Sequence, residues 1–165
     1  MQAQIQTESL IANFYRYTSY SGLVGAFLKR GIKAYAKRIR NAQDSELAGV
    51  VGDESVACWK TIAADFDKRI ESASVRGVAM DGLFFADLCE RSANVNEARR
   101  FLLRAIRGYS SLVSARDLDT IAASLHGIPA ASWKGLASEL LNTVEHVSAF
   151  ARVSTRTQRK PRNVH

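Results

Sequence analysis

Displaced by 74 residues, the chain aligns with itself without a gap. Phe27-Leu28-x-Arg30-x-Ile32-x-x-Tyr35 falls on Phe101-Leu102-x-Arg104-x-Ile106-x-x-Tyr109, and Trp59-Lys60-x-x-Ala63 falls on Trp133-Lys134-x-x-Ala137. Together with Ala48/Ala122, Ala57/Ala131 and Glu71/Glu145 this makes 11 identities over the 45 positions from 27 to 71. An average composition would give about 3 by chance. Conservative pairs such as Ile39/Val113, Leu47/Ile121, Ile62/Leu136 and Ile70/Val144 extend the match, and both tryptophans fall on the register. The sequence therefore reads as a duplication: a first helical unit at 1–74, a second at 75–151, and a tail at 152–165.

Each unit is expected to hold about four helices. The spacing predicts helices over 6–19, 21–41, 44–51 and 54–74, matched by 79–92, 95–114, 117–125 and 129–152. Leu23, Val24, Phe27, Leu28, Ile32, Tyr35 and Ile39 follow the helical period. Asp53 is the expected cap of the fourth helix. Asn94 and Asn96 offer caps for the second helix of the second unit, and Gly127 with Pro129 marks a stop and a restart. No alternating strand pattern of useful length occurs, and β-branched residues are scattered. The expected class is all-α, an internally duplicated helical bundle of two pseudo-symmetric units. A unit of about 75 residues buries too little apolar surface to be secure alone. No Pro/Ser-rich linker separates Ser72 from Val78, so the two units are expected to fuse into one domain.

The hydrophobic fraction of 47% excludes a disordered chain. The two cysteines, Cys58 and Cys89, sit among apolar neighbours and read as reduced thiols rather than a disulfide framework. The polar start from Met1 to Glu8 lacks signal-peptide character, and no apolar run reaches membrane-spanning length. A soluble, cytoplasmic protein with no membrane span is expected.

Charge then points to function. The formal net charge is +7. Five of the seven excess positive charges lie in 152–165, as Arg152, Arg156, Arg159, Lys160 and Arg162, and no acid follows Glu145. That tail cannot bury apolar area and is expected to be a disordered basic arm. Within the body, Lys29, Arg30, Lys33, Lys37, Arg38 and Arg40 crowd twelve residues that contain no acid. On a helix, Lys29, Lys33, Lys37 and Arg40 fall within about 80° of one another. The second unit repeats this more weakly with Arg99, Arg100, Arg104 and Arg107. Cations at successive helical turns can follow a row of phosphates, with counterion release as the driving force. The leading expectation is a non-enzymatic nucleic-acid-binding protein, for DNA or RNA, in a regulatory, packaging or sequestering role. Its binding residues would be Lys29, Arg30, Lys33, Lys37, Arg38, Arg40, Arg100, Arg104, Arg107, Arg156, Arg159, Lys160 and Arg162. The alternative is a helical protein–protein interaction module (an adaptor, inhibitor or virulence factor) whose basic face docks on an acidic partner. Homo-oligomerisation is compatible with both. A basic amphipathic helix lying on an anionic membrane ranks third, because the apolar side is repeated core.

Other patterns are weaker. Trp59 and Trp133 recur with Phe27/Phe101 and Tyr35/Tyr109, as the core of a repeat would. Tyr15-Arg16-Tyr17 with Tyr20 could stack on bases. Residues 121–140 have rough helix-turn-helix spacing, but the second helix, Pro129 to Leu140, offers only Lys134 as a contact. His126, His146 and His165 lie far apart, without metal-ligand spacing, and no phosphate-cradling Gly-rich loop occurs. No catalytic residue, metal or cofactor is expected.

Overall fold

A computed structural model describes residues 7–52 and 55–146. Its regular elements are α1 (Thr7–Tyr17), a 3₁₀ turn at Ser21–Leu23, α2 (Val24–Asn41), α3 (Asp44–Val51), α4 (Val56–Val75), α5 (Gly82–Glu90), α6 (Val95–Ala115), α7 (Leu118–Ala123) and α8 over 130–146. The class is all-α, and no strand occurs among the described residues. The expected basic arm at 152–165, with Arg156, Arg159, Lys160 and Arg162, lies outside the described residues.

The helix ends follow local chemistry. Ser55 caps α4, its side chain accepting from Cys58 N at 2.9 Å. The cap is thus Ser55 and not the expected Asp53, which lies outside the described residues. Asp81 and Asp117 cap α5 and α7 in the same way. Asn94 stands at the N-cap of α6 but makes no side-chain cap bond. Gln43 and Glu46 form a reciprocal capping box at α3. Gly127 takes a φ of +74°, open to glycine at no steric cost, and the Pro129 carbonyl accepts from Trp133 N to start α8.

The core is continuous through the bundle. Among α1 to α7, the broadest packing is α2 on α4, followed by α2 on α6 and α1 on α5. Phe101, fully buried on α6, meets Tyr35 (ring centres 4.9 Å apart), Trp59 (5.1 Å) and Phe66 (5.3 Å). Phe27, fully buried on α2, meets Tyr109 and Trp133, both at 4.9 Å. The contacts are crossed: Phe27 covers the tryptophan of the second half, and Phe101 covers the tryptophan of the first. Phe27, Tyr109 and Trp133 differ by 74 from Phe101, Tyr35 and Trp59 in turn, while Phe66 corresponds to Leu140. Between α2 and α6, a Cβ on Gly31 would lie 3.0 Å from the Tyr109 Cβ and 3.1–3.2 Å from its ring. The cleft there, about 220 Å³, is lined by Gly31, Ala34, Tyr35 and Arg38 from α2 and by Ala105, Gly108, Tyr109 and Leu112 from α6.

Candidate nucleic-acid interface

Helix α2 buries Val24, Phe27, Leu28, Ile32, Ala36 and Ile39. That choice of face turns Lys29, Lys33, Lys37 and Arg40 away from the core. Helix α4 packs alongside, and two of its acids, one turn apart, meet the row. Lys33 Nζ lies 2.6 Å from Glu71 Oε1, and Arg40 Nη1 lies 2.6 Å from Asp67 Oδ2. The Lys33 hydrogen bond and charge hold the Glu71 carboxyl below the usual carboxylate range, and the charge of Lys29 adds to this. The Glu71 and Arg40 side chains are open to water, so solvent screening keeps both pairs weak. Lys29, Lys37, Arg38 and Lys68 have no ion pair among the described residues.

Lys68 and Arg76 were absent from the sequence-derived set. Lys68 on α4 and Arg76 at its C-cap, two turns on, line a cleft of about 620 Å³ together with Arg40 and the carboxylates Asp67 and Glu71. Their spacing was visible in the sequence. That α4 lies beside α2, which joins them to the row, was not.

The structure divides the remaining expected residues. Arg30 stands over the Trp133 ring at 5.6 Å and donates to the Ser124 carbonyl at 3.1 Å. Arg104 stands over Trp59 at 5.2 Å and donates to the Val50 carbonyl at 2.9 Å. Both guanidiniums serve as lids on buried indoles and as caps for the ends of short helical segments. Arg107 pairs with Glu145 at 2.6 Å and Arg100 with Glu97 at 3.3 Å. Arg99 binds both Glu8 (2.9 Å) and Glu90 (3.4 Å). The weaker basic row of the second half is therefore engaged by intramolecular partners. Its α6 and α8 positions 74 beyond Lys29, Lys37, Arg38, Arg40 and Lys68 hold Leu103, Ser111, Leu112, Ser114 and Asn142.

The Glu8–Arg99–Glu90 group ties α1 to α5 and α6. Burial works to raise the Glu8 carboxyl, but hydrogen bonds with Glu90 and Arg99 outweigh it and hold it below its usual range. Glu90 is held above its usual range, first by its hydrogen bond to Glu8. The neighbouring Cys89 thiol is pushed up to about 12, chiefly by burial, and is inert as a nucleophile near neutral pH.

Among the aromatics, Tyr15 donates to the Met80 carbonyl at 2.9 Å, and Tyr20 packs its ring against Gly135. Tyr17 alone of the three is well exposed, at 73%, with the Arg16 guanidinium 5.8 Å from its ring centre. Lys134, the one cation of the supposed recognition helix, donates to the Arg116 carbonyl at 2.7 Å, while Trp133 and Leu136 are buried. Those contacts serve packing.

Among the described residues, no three His, Cys, Asp or Glu side chains are grouped to hold a metal ion, and no helix is long and apolar enough to cross a membrane. Fold and surface together define an all-helical bundle with a cationic edge along α2 and α4. No family model, curated protein or solved structure matches the chain.

Proposed function

We propose that this is a non-enzymatic nucleic-acid-binding protein, built as a duplicated helical bundle, that engages phosphates along the α2–α4 edge and with the basic arm at 152–165. The observation that carries this reading is the row of cations on α2 with Lys29, Lys37 and Arg38 outside any ion pair among the described residues. A cation held off the core and unpaired gains most from a phosphate, because its counterion is free to leave. From Lys29 to Arg40 the row is about 16 Å long, the length of about five base steps of duplex. The crossed aromatic pairs, the two arginine lids and the matched Lys33–Glu71 and Arg107–Glu145 bonds, all 74 residues apart, support the duplication.

Salt-dependent binding to DNA and RNA tests the function. Charge reversal at Lys29 and Lys37 should weaken binding on all sequences alike, and removal of 152–165 should lower the salt slope further. Absence of binding at about 50 mM salt, where phosphate contacts are strong, would end the reading. A partner retained after nuclease treatment would favour docking on an acidic protein instead.

A further inference from the structure

We infer that Asp67 and Glu71 are internal competitors of the nucleic-acid backbone, occupying the places on α2 that phosphates take in the complex; this rests on the nucleic-acid reading above. The two carboxylates are four residues apart on α4, about 6 Å along the helix axis. Each sits 2.6 Å from a cation of the α2 row, Glu71 at Lys33 and Asp67 at Arg40. Two anions spaced along a line of cations present to α2 what a strand of phosphates would present. The pairs are open to water: the Glu71 side chain is 60% exposed and that of Arg40 is 49%. An incoming phosphate can therefore exchange with a carboxylate without unpacking the core. Until it does so, Lys33 and Arg40 release no counterion and add little to affinity.

The second half lacks this arrangement. Arg107 and Glu145 keep one pair, but the positions matching Arg40 and Asp67 are Ser114 and Leu141, and the flanking cations are gone. The competing acids therefore belong to one edge of the molecule, and they limit how tightly that edge holds a strand.

The test uses full-length protein, with labelled single-stranded and duplex oligonucleotides of mixed sequence, and reads dissociation constants over a salt series. The double variant D67N/E71Q should bind about tenfold or more tightly at about 0.1 M salt. Its log–log salt slope should steepen by about 1.8 on duplex or about 1.4 on single strand, the value for two added phosphate contacts. The control D119N/E145Q makes the same change in net charge and frees Arg107 instead; it should leave the slope unchanged. Unchanged or weaker binding by D67N/E71Q, or equal steepening by the control, overturns the inference while wild-type binding upholds the parent reading. A wild type that binds neither probe overturns both. Thermal unfolding by circular dichroism of each variant shows that the fold is kept, and E71Q alone should give half the change in slope.

Discussion

Arg104 of α6 closes over Trp59 of α4: its guanidinium carbon lies 5.2 Å from the indole centre, and its Nη1 donates to the Val50 carbonyl at the end of α3. Three elements are fastened by one side chain, and Arg30 makes the same bond between α2, Trp133 and the carbonyl of Ser124. Arg104→Ala and Arg30→Ala should each lower unfolding free energy by about 0.5–2 kcal/mol, from a lost cation–π contact and a lost hydrogen bond to a water-accessible carbonyl. Lysine should restore little, because it lacks the planar fork that stacks and donates together. Urea unfolding checks this, and the folded variants should bind oligonucleotides much as the wild type does.

Phe101 stands where both halves meet. Phe101→Ala leaves Tyr35, Trp59 and Phe66 without their common neighbour and should cost about 3–5 kcal/mol. The transition should stay single in both calorimetry and circular dichroism, since the core is shared.

Gly135 of α8 has Tyr20 against it: a Cβ there would lie 2.6 Å from the hydroxyl and 2.9 Å from the ring carbon bearing it. Gly135→Ala must push the ring aside and should destabilise by about 1–3 kcal/mol, although alanine is the better helix former. Gly135→Ala combined with Tyr20→Ala should recover part of that loss.

The Glu8–Arg99–Glu90 group gives stability a pH dependence. Glu90 has a raised pKa, so its contribution is complete below the ordinary carboxylate range and is lost as pH rises through the raised value. Glu8 has a lowered pKa, so its contribution holds above the ordinary value and is lost as pH falls through the lowered one. Two opposed limbs should flank a maximum on the acidic side of neutrality. Glu90→Gln should abolish the upper limb and leave the lower one, as read from urea midpoints across pH.

Much of the architecture was legible because apolar residues stand at fixed helical positions. Shifting α1, α2, α3 and α4 by 74 residues lands on α5, α6, α7 and α8 to within a few residues. Cap details were less legible: Ser55 and Asp53 are both good caps, and only the backbone path decides between them. The candidate surface was legible in part. Arg30 stands in the basic run of α2, so sequence grouped it with Lys29 and Lys33. The distinguishing signal was present, since Arg30 recurs as Arg104 together with the core aromatics, whereas Lys29, Lys37, Arg38 and Arg40 recur as Leu103, Ser111, Leu112 and Ser114. A cation repeated with the core belongs to the core. The α4 contribution, from Asp67 and Lys68 to Arg76, needed the packing of α4 on α2, which no local pattern encodes.

The crossed packing of Phe27 on Trp133 and Phe101 on Trp59 makes each half the missing wall of the other. A chain of half this length could complete its core only by meeting a second molecule, so its folding would depend on concentration. Carrying both halves on one chain makes that encounter intramolecular, at an effective concentration fixed by the link between α4 and α5. It also lets the two faces differ: a symmetric pair of chains carries every surface residue twice, whereas here Lys29, Lys37, Arg38 and Arg40 have no cationic counterparts 74 residues on, where Leu103, Ser111, Leu112 and Ser114 stand.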